Sequence, residues 1–544
     1  MIRRLALASA ALALTLGVHA QEPVFAADRP DLVVAVNKLP RGLEPGDNNG
    51  NVDVRVIYSI FDTLIRRDFR NPGPTGEATL VPGLAKSWKR IDGKTLEVEL
   101  RQGIKFQNGN EFTADDVLFT FSPERLSGKK AALPKGRRYF GHLASIEKVG
   151  PYTVRFTTKN PDPVFEHRLS TYTSWIVSKK EYESHKEKAK EVLAAVKDKK
   201  AKKAPKTWLD VAVREEKWTP VGTGPYAFDS WKSGEFVKLV ANDNYYMGKP
   251  AAKSVTFKLV PELSARIAGL VSGEYDIIVE VPPDQMPVLA NYDDLQTKSV
   301  VLENSHVIVF NTKHPSLKDK RLRQALSLAI DRKKLVDTLW QGKTYTPNGH
   351  QLASFGPTYD KDRVGYRYDP AEAKKLLKES GYGGETVSYR IIPGYYTNSL
   401  EAAQIIQEMW KAIGFNIKLD PVENFKAVRA DGVAIYPWSN TYRFPDPTGA
   451  ININWGPLSA VQRKYKLWSA PDQFNGSMTK ILESGDPEIR SAAFKKVLDS
   501  FEDEMPGTIL YNPLSTYGVR KGIDWTPYPI YFMDLRPDNL KIQK

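Results

Sequence analysis

The sequence contains no cysteine among its 544 residues. This absence excludes disulfides, zinc sites with thiolate ligands, cysteine-ligated iron–sulfur clusters and a cysteine nucleophile. Only seven histidines are present, and no spacing among them resembles a local metal site. We therefore expect the protein to hold neither a metal nor a cofactor.

A hydrophobic run long enough to cross a membrane is also missing. Residues 1–27 are predicted to be a cleaved signal peptide, because two arginines precede an apolar stretch that is too short for a stable span. Cleavage could follow Ala20 or Ala27, and the general secretory route fits better than twin-arginine export. No later stretch approaches 18 consecutive apolar residues. The mature chain is therefore expected to be soluble and periplasmic.

Sequence motifs of common enzyme classes are absent as well. There is no Walker A loop, no G-x-G-x-x-G, no G-x-S-x-G elbow and no H-E-x-x-H. Carboxylate pairs are unavoidable in a chain with 64 Asp and Glu, so a glycosidase pair could be found only in a structure. These absences favour a binding protein over an enzyme. The alternative is an exported hydrolase that acts on sugars or peptides.

The charge balance is basic, with 78 Lys and Arg and a formal net charge of +14. Such a charge could attract nucleic acid or an anionic membrane, but export argues against nucleic acid. Much of the excess lies in residues 179–206, which predict a solvated surface helix with Val192, Leu193 and Val196 turned inward. A third hypothesis makes this segment a docking patch of a cell-envelope interaction protein, whose binding to anionic polymers would fall with salt.

Hydrophobic periodicity predicts alternating strands and helices over most of the chain. Residues 31–36 and 94–100 predict strands, and residues 320–339 predict one long amphipathic helix. Thr113 predicts a capping box with Asp116. The alternation in the C-terminal half indicates an α/β protein.

Several segments together resemble one protein family. The densest is Leu84–Phe119, LAKSWKRIDGKTLEVELRQGIKFQNGNEFTADDVLF. Others follow in order: Gly222–Tyr226, Asn244–Pro250, Leu263–Ile277, Arg323–Asp331, Tyr368–Gly381 and Glu408–Phe415. From about Asp31 to the C-terminus, the chain resembles the family 5 extracellular solute-binding proteins, the receptors of peptide, nickel and opine ABC importers.

The resemblance implies an α/β fold of the periplasmic-binding-protein type. Two lobes would be joined by two hinge strands, with an extra α+β domain inserted in lobe I. The expected order is lobe I over 28–75, the extra domain over 76–215, lobe I over 216–304, lobe II over 305–510 and a return to lobe I over 511–544.

The resemblance also implies how such a protein would act. A small-molecule ligand would bind between the lobes and drive a hinge closure, and an ABC permease in the inner membrane would recognise the closed form. The protein itself would do no chemistry, and a monomer is expected.

In peptide-binding members of the family, a Trp and an Asp lie shortly before an acid–Pro pair in lobe II, and the Asp pairs with the peptide ammonium group. Here Asp446-Pro447 matches the acid–Pro pair and Trp438 matches the Trp. The expected Asp is missing. Three residues after Trp438 lies Thr441, and four residues before Pro447 lies Arg443, and neither is acidic. If Arg443 faces the cleft, its planar fork would bind a carboxylate, phosphate or sulfate. The alternatives for Arg443 are exposure to solvent or a pair with Asp446.

The ligand class therefore stays open between a short peptide and an anionic solute such as an opine or a sugar conjugate. Aromatic residues near Arg443 would wall the site or belong to an ordinary core. A polar loop at Tyr395 and Tyr396, and asparagines near the first strand, complete the candidates. The predicted ligand-binding residues are Arg443, Trp438, Tyr442, Asn440, Trp455, Tyr395, Tyr396 and Asn37.

Overall fold

A computed structural model describes residues 29–47, 50–74, 76–196, 204–214 and 219–543. The predicted signal peptide lies outside these ranges. Within them, no helix combines the length and apolar character that a membrane span requires. The main sheets and their helices form the two-lobe α/β architecture that the resemblance implies, so the predicted fold class is confirmed.

Lobe I is built on a mixed sheet of seven strands. In spatial order these are Leu295–Val301, Leu514–Arg520, Ile277–Ile278, Asp31–Val36, Ser254–Leu259, Phe236–Ala241 and Tyr226–Lys232. The predicted first strand, Asp31–Val36, is parallel to both of its neighbours, and the C-terminal strand Leu514–Arg520 is antiparallel to both of its own. The longer helices of this lobe are Asn51–Ile60 and Leu263–Ser272. Two short ribbons pair Ile65–Asp68 with Thr79–Pro82 and Ile523–Trp525 with Leu540–Ile542.

A smaller antiparallel sheet lies between residues 85 and 158. Its strands lie in the order Ala85–Arg90, Thr95–Leu100, Thr153–Thr158 and Leu143–Gly150. The helices around it are Ala114–Thr120, Arg137–Phe140, Phe165–Arg168, Lys179–Ser184, Lys186–Ala194 and Trp208–Ala212. The predicted capping box is present, since the Thr113 amide donates to Asp116 Oδ2 at 2.9 Å.

The basic segment is not one helix as predicted. It forms Lys179–Ser184 and Lys186–Ala194, and residues 197–203 lie outside the described ranges. Val192, expected to turn inward, is 42% exposed, whereas Ala189 is buried. The second helix packs on Trp208–Ala212 with Lys186 Nζ over the Trp208 ring. Leu193 and Val196 are half-buried as expected, so the predicted inward face is wrong at Val192.

Lobe II is built on a five-stranded sheet. In spatial order its strands are Ile417–Pro421, Val387–Ile391, Ile435–Thr441, Asn304–Phe310 and Gly507–Tyr511. Its longer helices are Lys320–Leu328, Arg332–Trp340, Pro370–Glu379, Ser399–Ala412, Asp472–Glu483 and Pro487–Glu504. The single helix predicted over 320–339 is therefore wrong. Asp331 interrupts it, because its carboxylate accepts from the Lys334 amide at 2.9 Å and caps a second helix.

Two neighbouring strands carry the chain between the lobes. Asn304–Phe310 enters lobe II and Gly507–Tyr511 leaves it, and the two pair in antiparallel fashion. Next to them, the Leu302 amide donates to the Pro513 carbonyl at 3.0 Å. The two crossings between the lobes therefore lie side by side.

A buried histidine in lobe II makes stability depend on pH. His350 is 1% exposed, lies edge-on to the Phe501 ring, and has no hydrogen-bond partner for either ring nitrogen among the described residues. Burial lowers the pKa of His350 to about 3. An unfolded histidine protonates near pH 6.5, so the unfolded state gains its proton first as the pH falls. The contribution to stability is complete above about pH 6.5 and is lost progressively towards pH 3.

We predict that His350→Phe will reduce the loss of stability in acid. At pH 4.5 the wild type should lose about 2–3 kcal/mol through this group, and the variant should not. Urea unfolding of both proteins at pH 7.5 and pH 4.5 measures the difference. Parallel losses in the two proteins would show that His350 does not cause the acid sensitivity.

Candidate functional site

A cleft runs between the two lobes beside the hinge. A small cavity of about 30 Å³ lies at its inner end. Asn37 and Glu280 from lobe I line the cavity together with Tyr395, Tyr396 and Thr397 from lobe II. The structure thus brings three of the predicted residues together at the lobe interface.

The lobes contact each other directly around this cavity. The Thr441 hydroxyl donates to Asn51 Oδ1 at 3.1 Å, and the Asn51 side-chain amide approaches the Ser439 hydroxyl at 3.4 Å. The Thr397 hydroxyl donates to Glu280 Oε2 at 2.7 Å. These hydrogen bonds join lobe II to lobe I, so the structure shows the lobes closed on each other.

We predict that Asn51→Ala will weaken the closed arrangement. A neutral hydrogen bond contributes about 1 kcal/mol, so the loss should weaken ligand affinity about fivefold. Isothermal titration with the ligand that co-purifies measures the affinity. Asn71→Ala is the matched control, because Asn71 is an exposed asparagine of lobe I whose hydrogen bonds go to Asp68 and Thr79 of the same lobe. Equal affinity in Asn51→Ala and wild type would contradict the role of this contact.

Thr441 and Arg443 are the two positions to which the landmarks Trp438 and Pro447 lead for the Asp of peptide-binding members, and neither is acidic. Thr441 is 1% exposed, and its hydroxyl accepts from Asn304 Nδ2 at 2.9 Å while it donates to Asn51. Asn304 Nδ2 also donates to the Ser439 hydroxyl at 2.6 Å. The site offers an ammonium group no carboxylate at this point.

Arg443 lies between the lobes. Its guanidinium carbon is 3.8 Å from the centre of the Tyr172 ring, which belongs to lobe I. Its Nε and Nη1 are buried and have no hydrogen-bond partner in the described part of the chain. Asp446, the suggested partner, instead pairs with Arg490 and accepts from the Thr448 amide at 2.8 Å. Two donors of the guanidinium, Nε and Nη1, are therefore left without a protein partner in the described ranges.

The other predicted residues of lobe II lie mostly in its interior. Trp455 and Asn440 are fully buried, and the Trp455 indole donates to Asn440 Oδ1 at 2.6 Å. Tyr442 is also fully buried, and its hydroxyl is hydrogen-bonded to Ser305 Oγ at 2.8 Å. Trp438 is half-buried and packs on Trp455 with ring centres 6.0 Å apart. Of these four, only Trp438 retains surface to offer a ligand.

Three cationic side chains near the cleft were not predicted from the sequence: Lys38, Arg138 and Arg429. Lys38 Nζ lies 4.0 Å from the Tyr395 ring centre, and Arg429 lies among four aromatic rings. Burial, and after it the charge of Arg443, lowers the pKa of Arg138. Lys38 directly follows the predicted Asn37 and was within reach of sequence reasoning. Arg138 and Arg429 carry no motif that could have marked them.

A larger concavity of about 960 Å³ opens in lobe I. Its walls include Arg41, Glu44, Tyr182 and Trp231, and all of its described lining residues come from lobe I. Because the ligand is expected between the lobes, we place the candidate site at the lobe interface.

Comparison with known proteins decides the family. Residues 79–460 match the family described as bacterial extracellular solute-binding proteins, family 5 Middle. The chain belongs to this family. Family 5 proteins are the solute-binding components of ABC importers for peptides, nickel or opines, and the matched relatives are binding proteins rather than enzymes.

Individual relatives extend this match to most of the chain. It is 27% identical to Di/tripeptide-binding protein 2 of Pseudomonas aeruginosa, covering 90% of this chain and 91% of the relative. It is 26% identical to the probable ABC transporter periplasmic-binding protein SapA of Escherichia coli, covering 82% of each. The solved structure of AgaA from A. tumefaciens R10 with agropinic acid superposes with a TM-score of 0.77 at 22% identity, covering 94% of this chain and 99% of AgaA.

Proposed function

We propose that this family 5 protein is a periplasmic receptor that binds an anionic organic solute between its lobes. It delivers that solute to an ABC permease in the inner membrane and catalyses no reaction. The observation that carries the proposal is Arg443, which lies at the lobe interface with two buried donors free and no acidic partner in the described ranges.

The charges of the cleft support an anion over a cation. Glu280 accepts from Thr397 and lies 3.4 Å from Arg55, so its charge is already balanced. Neither Thr441 nor Arg443, the two positions to which the landmarks lead for the peptide-binding Asp, is acidic. An arginine buried without a counter-ion is costly, and a bound anion removes that cost.

A short peptide is the second candidate. Several relatives are named as peptide-binding proteins, including the Pseudomonas protein with 27% identity. In the cavity, Glu280 has a positive φ of 57° and lines the wall opposite Tyr395 and Tyr396. A non-glycine residue in this conformation often marks a binding site, and this carboxylate could accept a peptide ammonium group.

Native mass spectrometry of protein purified from a periplasmic extract tests the proposal. Denaturation should release an organic acid, a phosphate ester or a similar conjugate. Release of a peptide would contradict an anionic ligand and favour the second candidate. Conversion of the solute during incubation would instead support the exported hydrolase.

A further inference from the structure

The cations of the cleft fall into two groups. The first group contains Arg443, stacked on Tyr172, and Arg138 on the helix Arg137–Phe140. Arg443 comes from lobe II and Arg138 from lobe I. Neither makes an ion pair with a carboxylate in the described ranges.

The second group lies around Tyr395. Lys38 reaches this ring from lobe I with its Nζ 4.0 Å from the ring centre. Phe425 packs edge-on against the same ring at 4.6 Å, and the guanidinium carbon of Arg429 lies 4.6 Å from the Phe425 ring centre. Lys38 and Arg429 also make no ion pair among the described residues, and Arg429 Nε is buried without a partner.

Aromatic surface connects the two groups. Arg429 lies 5.1 Å from the Tyr465 ring centre and 5.4 Å from the Trp438 ring. Arg138 also interacts electrostatically with Tyr465, from the other lobe. Aromatic faces bind the apolar or planar body of a ligand without adding charge.

The carboxylates of the same interface are all engaged. Glu280 is held by Arg55 and Thr397, and Glu303 lies 3.4 Å from Arg67. Asp53 accepts from the Arg41 amide and pairs with the Arg41 side chain. No acid is left for Lys38, Arg138, Arg429 or Arg443 within the described ranges. Arg138 and Arg443 repel each other, and aromatic rings rather than acids contact Lys38 and Arg429. A ligand with only one negative charge would balance these four cations poorly.

We infer that the ligand carries two anionic groups separated by an apolar or planar body. One anionic group binds at Arg443 and Arg138, and the other binds at Lys38 and Arg429. This inference rests on the proposed function and deepens it, because it adds a second anion subsite made from both lobes. Closing the lobes would complete both subsites at once, so a solute with one anionic end would bind more weakly.

Thermal unfolding with simple acids of matched length tests the inference. Adipate carries a carboxylate at each end, and hexanoate has the same chain with only one. At low ionic strength, adipate or its homologues succinate and suberate should raise the melting temperature by about 2 °C or more, and hexanoate should not. The absence of any response up to about 10 mM, ten times a weak millimolar dissociation constant, would overturn the inference.

Variants separate the second subsite from the proposed function. Lys38→Met and Arg429→Gln should reduce the diacid response to that of hexanoate, and Arg429→Lys should retain part of it. Suppose that the diacid stabilises Lys38→Met and Arg429→Gln as much as wild type but no longer stabilises Arg443→Gln. The second anion subsite is then wrong, whereas the proposed anion receptor is supported. If Arg443→Gln also responds like wild type, both fail. Arg321→Gln is the control, because Arg321 pairs with Asp319 on the surface.

Discussion

Replacing Arg443 with glutamine should weaken the affinity for the co-purifying ligand by about 30- to 1,000-fold. Its guanidinium stacks on Tyr172 across the lobe interface, and two of its donors have no protein partner in the described ranges. A charged hydrogen bond in such a desolvated place contributes about 1.5–3 kcal/mol, and leaving the anion unpaired adds to the loss. Isothermal titration of the ligand-stripped protein measures the effect.

Two further variants make this result specific. Arg443→Lys keeps the charge but not the planar fork, so it should recover only part of the affinity. Arg321→Gln removes a surface arginine and should leave the affinity unchanged. Wild-type affinity in Arg443→Gln would refute the role of Arg443 and make Glu280 the next candidate for ligand binding.

Replacing Arg536 with methionine should lower the free energy of unfolding by about 3–5 kcal/mol. Arg536 is 1% exposed, and its guanidinium pairs with Asp62 at 2.6 Å and with Asp534 at 3.0 Å. Both carboxylates are fully buried, and Tyr245 and Tyr528 donate to them. The variant leaves Asp62 in the interior without its cation and leaves Asp534 to the more distant Arg66 at 3.5 Å, and this is what makes the loss large.

A double variant tests this explanation. Asp62→Asn combined with Arg536→Met removes one of the stranded charges and should recover part of the stability. Arg321→Met removes a surface partner of Asp319 and should cost at most about 1 kcal/mol. Urea unfolding measures all three proteins. A double variant less stable than Arg536→Met would mean that packing around Arg536, rather than charge, dominates.

Much of the fold could be predicted from local chemistry. The strands Asp31–Val36 and Thr95–Leu100 and the cap at Thr113 all follow from periodicity and capping geometry. Two errors have different causes. The break at Asp331 is local, because the Asp331 carboxylate caps a new helix through the Lys334 amide, and apolar periodicity alone does not reveal it. The outward position of Val192 depends on how the helix Lys186–Ala194 packs on the segment around Trp208, which lies outside the local pattern.

The site was harder to predict because its parts are scattered along the chain. Family motifs located Arg443, and the polar loop located Tyr395, but neither reveals which side chains meet them. Arg138 and Arg429 became candidates only through their surroundings, where aromatic rings stand in place of acids. Conversely, Trp455 lies in the core, although a tryptophan in this segment is equally compatible with a binding wall.

The strand Leu514–Arg520 sits inside the sheet of lobe I rather than at its edge. It fills the place between Leu295–Val301 and Ile277–Ile278, so that sheet has a gap until the C-terminal segment has emerged. The sheet of lobe II uses one continuous stretch, from Asn304 to Tyr511, and needs no such late arrival. During synthesis lobe II can therefore mature first, while lobe I stays open until translation is almost complete.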